Sequence, residues 1–313
     1  MGNGINNNVF GALQKVVEEL TSPASFMEVS HRHHHHVALP SVEAVGDIVE
    51  KLRAVIFPGY FGKSELNPDN MAYYVGSSLD EIYRLFSEQI KRGFCFECDA
   101  SDQLQCENCE EKARRICSEF LEKLPEIRRL LATDMQAAYE GDPAAKIPGE
   151  TVFCYPSIKV MTNHRIAHEL YKLKVPLIPR IISEMAHSTT GIDIHPGASI
   201  GEKFFMDHGT GIVIGETSII GKNVRVYQGV TLGAKSFPMD EGGNPIKGII
   251  RHPIVEDNVI IYSGATVLGR ITIGKDSVVG GNVFITRDVA PGNKVMQSSS
   301  AIAEMDNMGG AGI

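Results

Sequence analysis

The sequence predicts an α+β chain: a helical first half that gives way, near residue 190, to a solenoid of short parallel strands. Three observations carry this. Apolar residues recur at helical spacing between residues 42 and 190, they recur every six residues from Ile194 onward, and two irregular stretches break the six-residue phase. A period near 3.6 belongs to an amphipathic helix and a period of 2 to a lone strand. A sustained six is neither; it is what a stack of short, flat faces produces.

Size and composition agree. A chain of 313 residues has room for two domains. It is 43% hydrophobic and 22% charged, as globular chains are. The net charge of −8 offers no basic field to nucleic acid or to an anionic lipid surface, so neither is expected as a partner. No run of 18 apolar residues predicts a membrane span. The start, "MGNGINNNVFGALQ", lacks the regions of a signal peptide, so a cytoplasmic location is expected, with the six cysteines reduced or metal-bound. The run "HRHHHH" at 31–36 reads as a solvated loop.

Taken in order, residues 1–41 read as a weakly ordered segment around one helix, "FGALQKVVEEL". Residues 42–190 form the helical domain. "SLDEIYRLFSEQIKRG" puts Leu79, Ile82, Tyr83, Phe86 and Ile90 on one face, and Gly93 is expected to end it. "CEEKARRICSEFLEKL" does the same with Ala113, Ile116, Phe120, Leu121 and Leu124. Pro125 suits the first turn of the next helix, which Gly141 would stop, and two more helices fit "PSIKVMTNHRIAHELYKL" and "PLIPRIISEMAHST".

Residues 191–290 carry the hexads. Ile194, Ile200 and Met206 are in phase, then Ile214, Ile220, Val226 and Leu232, then Val255, Ile261, Val267, Ile273, Val279 and Ile285. Small or β-branched residues follow four later, among them Ser218, Val230, Ala265, Ser277 and Val289. Three faces make one coil, so these thirteen faces predict slightly more than four coils, stacked about 4.8 Å apart. The phase slips by two residues inside "MDHGTGIVIGE", and a loop at 237–254 leaves the solenoid. Loops on rigid scaffolds are where function concentrates. Residues 291–313 read as a polar, glycine-rich tail.

Two constellations invite chemistry. Asp207 and His208 sit among glycines at the phase slip. With an ordinary pKa near 6.5, a histidine is suited to general-base work; the alternative is a histidine satisfied within a turn. Arg251 and His252 lie in the extruded loop, and a guanidinium fork suits a carboxylate; the alternative is a surface charge. A third cluster, Cys95-x2-Cys98-x7-Cys106-x2-Cys109, has the form of a structural zinc knuckle, with a gap shorter than zinc ribbons use. Reduced cysteines packing a turn are the other reading, and Cys117 and Cys154 read as core residues.

Over about residues 125–313, "DMQAAYEGDPAA", "IDIHPGASIG", "MDHGTGIVIGET", "YQGVTLGA", "RHPIVEDNV" and the terminal Ile313 resemble the serine O-acetyltransferases, members of the left-handed parallel β-helix acyltransferases. The resemblance implies transfer of acetyl from acetyl-CoA to the L-serine hydroxyl, giving O-acetyl-L-serine and CoA at the start of cysteine biosynthesis. It implies His208 as general base with Asp193 orienting it; the two are fifteen residues apart, close to one coil. It assigns Asp142 and Asp207 to the substrate ammonium, and Arg251 with His252 to the carboxylate. Ala234, Ser263 and Gly281 would line an acetyl-CoA groove between subunits of a homotrimer or a dimer of trimers. Ile313 would dock into O-acetylserine sulfhydrylase, and L-cysteine would inhibit by competing for the serine site. His195 reads as structural, and Asp134 and Glu216 have weaker claims. The reaction needs no metal, so zinc would be structural. The loop before "RHP", the first 110 residues and the cysteine cluster depart from the common members. The competing readings are a hexapeptide-repeat acetyltransferase with a sugar-type acceptor, a γ-type carbonic anhydrase, for which a third hexad histidine is lacking, and a trimeric scaffold without activity.

Overall fold

The computed structural model describes residues 4–29, 37–62, 65–98, 108–236 and 238–297. Nine helices lie among them: α1 (Gly4–Leu20), α2 (Pro23–Val29), α3 (Val42–Ile56), α4 (Pro68–Glu97), α5 (Cys109–Leu121), α6 (Leu124–Gly141), α7 (Pro148–Cys154), α8 (Pro156–Lys172) and α9 (Ile178–Thr190). None is long and apolar enough to cross a membrane. The N-terminal stretch thus holds two helices where one was expected. The apolar stripe of α1, from Val9 and Phe10 through Leu13 and Val17 to Leu20, is exposed.

The helix ends follow local chemistry. Ser41 caps α3 by accepting the Ala44 amide at 3.1 Å. Asn67 and Asn70 form a reciprocal capping box at the start of α4, with Pro68 in the first turn. Gly93 does not end α4, which runs on to Glu97. A β-carbon there would lie 2.9 Å from the Pro176 carbonyl, so this glycine serves a close approach rather than a stop. The helical core gathers Ile48, Leu52, Phe86, Ile90, Phe120 and Leu131, and Phe86 meets Phe120 edge-on at 5.5 Å. Each such buried side chain contributes about 1.5–3 kcal/mol of transfer free energy. Helix α8 is buried on most of its faces, which carries its C-terminal turn against the solenoid.

Among the described residues the solenoid has fourteen short strands in three parallel sheets. The first face stacks β1 (Asp193–Ile194), β4 (Val213–Ile214), β7 (Thr231–Gly233), β10 (Thr266–Leu268) and β13 (Phe284–Ile285). The second stacks β2 (Ser199–Ile200), β5 (Ile219–Ile220), β8 (Ile254–Val255) and β11 (Thr272–Ile273). The third stacks β3 (Phe205–Asp207), β6 (Arg225–Tyr227), β9 (Ile260–Ile261), β12 (Val278–Val279) and β14 (Lys294–Val295). The hexad residues are the ones in register: Ile194 on Ile214 on Leu232 on Val267 on Ile285, and likewise on the other faces. All are buried except Ile200, which is half-buried.

The coil therefore runs five turns, not slightly more than four, and reaches Val295, past the expected boundary at 290. Val289 comes only four positions after Ile285, so the six-residue count fails there. Val289 nonetheless bridges to Ile273, and β14 pairs with β12.

A buried ion pair docks the helices onto the first coil. Arg165 of α8 donates to Asp134 of α6 at 2.7 and 2.9 Å and to the Gly201 carbonyl at 2.8 Å, while the Phe204 amide donates to Asp134 at 3.0 Å. Burial pushes the Asp134 carboxyl upward, and Arg165 with that amide pulls the other way.

Candidate active site

The chain passes the three faces in order, so each corner of the triangular prism collects a fixed set of residues. The corner between third and first faces holds 208–212, 228–230, 262–265 and 280–283. The corner between first and second faces holds 195–198, 215–218, the extruded loop and 269–271. The expected site residues divide between these two corners.

His208 is at the third–first corner, where the two extra residues sit. It adopts a left-handed φ of 56°, followed by Gly209 at 83° and Gly211 at 78°. A non-glycine residue in that region is uncommon and costs on the order of 1 kcal/mol, and such strain clusters at functional sites. The turn pushes the imidazole into solvent, 75% exposed, with Nε2 3.8 Å from Asp207 Oδ1. Asp142 caps the C-terminus of α6 beside this corner, because Gly141 lets the helix press on the solenoid: a β-carbon there would lie 2.6 Å from the Phe205 ring. The Asp142 carboxylate accepts from the Tyr155 hydroxyl and from the Ala144 amide at 2.8 Å. The Tyr155 bond, the amide and nearby His208 hold its pKa below the usual carboxylate range, and Tyr155 is pushed up in turn.

Asp193 is brought near His208 by backbone, not by side chain. The Gly211 amide donates to the Gly191 carbonyl, and the Asp193 amide to Ile212, so adjacent coils stack here. No hydrogen bond or ion pair joins the Asp193 carboxylate to His208 among the described residues. It faces the end of α9 instead, with ligand atoms of Glu184 and His187 within 4.8 Å. Asp193 is the outward residue of β1, and His208 lies beyond the end of β3 on the corner above it.

The first–second corner gathers the cationic half. Arg251 Nη1 donates to Glu216 Oε2 at 2.9 Å and to the Ile249 carbonyl at 3.1 Å. Thr217 clamps the loop: its Oγ1 accepts the Arg251 amide at 2.9 Å and the His252 amide at 3.1 Å, and it lies 2.9 Å from His252 Nδ1. The Thr217 amide also donates to Nδ1, so the ring proton belongs on Nε2. Burial, then Arg251, push His252 down to about 4, so the ring is neutral at physiological pH. His195 is likewise pushed to about 4 by burial; its Nδ1 accepts the Gly197 amide at 2.9 Å, a structural role. Glu216, expected as a marginal residue, is Arg251's partner and accepts from Tyr171 of α8 at 3.1 Å.

Ser263 and Gly281 stack on consecutive coils at the third–first corner, where the Asn282 amide donates to the Ser263 carbonyl at 2.9 Å and a β-carbon on Gly281 would meet that carbonyl at 3.2 Å. Ala234 opens the extruded loop at the other corner. Cys95 and Cys98 close α4 and Cys109 opens α5. Cys106, like Ile313 and the tail beyond 297, lies outside the described residues. Among the described residues the grouping close enough to share a metal is Glu184, His187 and Asp193, and the three thiols do not form one. Cys117 is buried and pushed up to about 11 by that burial, whereas Cys154 is exposed at the end of α7 rather than in the core.

Tyr155, Tyr171, Thr217 and Gly215 were not singled out from the sequence. Thr217 and Gly215 lie within "MDHGTGIVIGET", but nothing local says that they hold a loop thirty-five residues away.

Residues 252–287 match the bacterial transferase hexapeptide model, of six repeats. A serine acetyltransferase, plasmid, of Synechococcus elongatus is 50% identical over 274 residues, 87% of this chain and 86% of that protein. Serine acetyltransferase 1 of Entamoeba histolytica, solved in complex with L-cysteine, superposes with a TM-score of 0.69 at 39% identity, over 86% of this chain and 90% of that one. Soybean serine acetyltransferase, complexed with serine, gives a TM-score of 0.51 at 27% identity, over 80% of this chain and 95% of that one. With its five-turn hexapeptide solenoid, its helical first half and this extent of identity, the chain belongs to the serine acetyltransferase family.

Proposed function

We propose that this acyltransferase moves the acetyl group of acetyl-CoA directly onto the hydroxyl of L-serine. His208 takes the hydroxyl proton as the serine oxygen attacks the thioester carbonyl. The C–S bond then breaks and the proton passes to the departing CoA sulfur. Base catalysis of this kind contributes roughly 10²–10⁴-fold. Asp193 orients the imidazole once His208 turns from solvent toward the coil below.

The observation that carries the reading is the separation of charge. Asp142, Asp207 and His208 stand at one corner, and at another stand neutral His252 and Arg251, one nitrogen of which is taken by Glu216. A zwitterionic amino acid needs an anionic and a cationic contact; a sugar needs neither. A hexad face spans roughly 15–20 Å, too far for one serine to bridge within a chain. The two halves meet when a corner of one protomer packs beside a different corner of the next, which a closed homotrimer, alone or paired as a dimer of trimers, accomplishes. The same groove would lay the thin pantetheine arm along Ser263 and Gly281 of one protomer and Ala234 of its neighbour.

L-cysteine differs from L-serine only in the thiol, and the Entamoeba histolytica relative was solved with it. The same charged contacts would accept it as a competing inhibitor. A cytoplasmic location and docking of Ile313 into O-acetylserine sulfhydrylase complete the proposal. Loss of thioester absorbance with acetyl-CoA and L-serine, set against a panel of sugars and amino sugars, tests it. Turnover confined to L-serine is the expected result; turnover on a sugar and not on serine would replace it with the sugar-acceptor reading.

A further inference from the structure

Arg251 is not free to choose its orientation. Glu216 holds one edge of its guanidinium and is itself held from the helical domain, by a residue that takes no direct part in the site. Tyr171 lies in the last turns of α8 and donates from its hydroxyl to Glu216 Oε1 at 3.1 Å. The other oxygen, Oε2, receives Arg251 Nη1 at 2.9 Å, and Nη1 also reaches the Ile249 carbonyl. Both side-chain bonds of Arg251 to the described residues leave from Nη1, so Nε and Nη2 stay available for a ligand carboxylate. The Tyr171 ring is fixed too: it packs edge-on against His195 at 5.8 Å, and the Lys174 ammonium sits 5.6 Å over it. Glu216 and Arg251 are each about a quarter exposed, so water competes only in part.

A carboxylate facing a guanidinium prefers the bidentate arrangement, two parallel N–H to O bonds. A bidentate pair would need Oε1 as well as Oε2 of Glu216 to face two N–H groups on one edge of Arg251. Tyr171 draws Oε1 toward α8 instead, so that Glu216 meets Arg251 through Oε2. We infer that Tyr171 is a positioning residue for the amino-acid substrate: by holding Glu216 in a one-point contact with Arg251, it keeps the second edge of the guanidinium open for the substrate carboxylate. Selectivity for the acceptor thus depends on a contact between the helical domain and the solenoid. The inference rests on Arg251 as the carboxylate contact.

A Tyr171→Phe variant, in wild-type and Glu216→Ala backgrounds, tests it. Tyr171→Phe removes one oxygen and leaves the ring packing on His195. In the wild-type background the KM for L-serine is expected to rise about tenfold, the size of a lost hydrogen bond to a charged group, with kcat at saturating serine and the KM for acetyl-CoA unchanged. In the Glu216→Ala background the same substitution is expected to change nothing, because the competitor is gone. An equal rise in both backgrounds, or a serine KM within twofold of wild type, overturns the inference. A fall in kcat and thermal midpoint together would show a general loosening of structure and would overturn the inference as well. Calorimetric titration of L-serine without acetyl-CoA repeats the comparison independently of turnover. If wild type fails to acetylate serine, the proposed function falls, while this binding comparison still decides the role of Tyr171.

Discussion

The imidazole of His252 lies across Gly215, so close that a β-carbon on that glycine would sit 2.0 Å from the ring. The turn that presents the cationic half of the site therefore exists only because residue 215 has no side chain. Thr217 completes the arrangement from two residues further on. Gly215→Ala is predicted to displace His252 and the loop behind it, raising the KM for L-serine by about tenfold or more while the oligomeric state is unchanged. Steady-state kinetics with size-exclusion chromatography check this; an unchanged serine KM would mean the ring has no part in binding.

Asp142 receives the Tyr155 hydroxyl and the Ala144 amide and remains ionised beside His208. Asp142→Asn keeps the shape and removes the charge. The KM for L-serine is expected to rise roughly 10–100-fold, with the KM for acetyl-CoA nearly constant, since an ammonium loses its counter-ion and the thioester does not. An equal effect on both substrates would assign Asp142 to packing between the domains.

Four histidines, His164, His168, His195 and His252, are held below the ordinary value chiefly by burial, His195 and His252 to about 4. Their folded pKa values lie below the unfolded one near 6.5. The unfolded chain therefore binds protons that the folded chain refuses, and stability falls as pH drops below about 6.5, levelling near the folded values. The thermal midpoint is expected to be lower at pH 5 than at pH 7. His195→Gln should flatten part of that dependence, and an unaltered slope would remove His195 from it.

Arg165 and Asp134 are both buried and paired across the junction of the helices with the first coil. Arg165→Met leaves the carboxylate buried without its cation, and loss of one partner from such a pair costs about 3–5 kcal/mol. Urea unfolding monitored by circular dichroism measures it. Arg165→Met together with Asp134→Leu should recover most of the loss; failure of the pair to recover would point to the bonds that Arg165 donates to the Ile200 carbonyl at 3.3 Å and to the Gly201 carbonyl instead.

The solenoid was legible because each rung places one aliphatic inward, so period and register are the same information: Ile214, Leu232 and Val267 are in phase in the sequence and stacked in the structure. The count failed where the period did, between Ile285 and Val289. Gly93 was misread as a helix stop because sequence shows a missing side chain and not the Pro176 carbonyl that requires it. His208, Asp207 and Arg251 stood out because they interrupt a pattern. Tyr155, Tyr171 and Thr217 did not, since their partners lie 13, 45 and 35 residues away along the chain. Nor could spacing show that Asp193 faces Glu184 and His187 in a lone chain.

The central claim is that His208 of one protomer and Arg251 of another make one site. Co-expression of His208→Ala and Arg251→Ala chains, each inactive alone, tests it most directly. Random mixing gives about a quarter of the interfaces both intact residues when each site is shared between two protomers, so activity is predicted to return to about that fraction of wild type. Mixed assemblies, verified by differential tags, that stay as inactive as either parent would contradict it, because a site contained within one chain cannot be rebuilt by mixing.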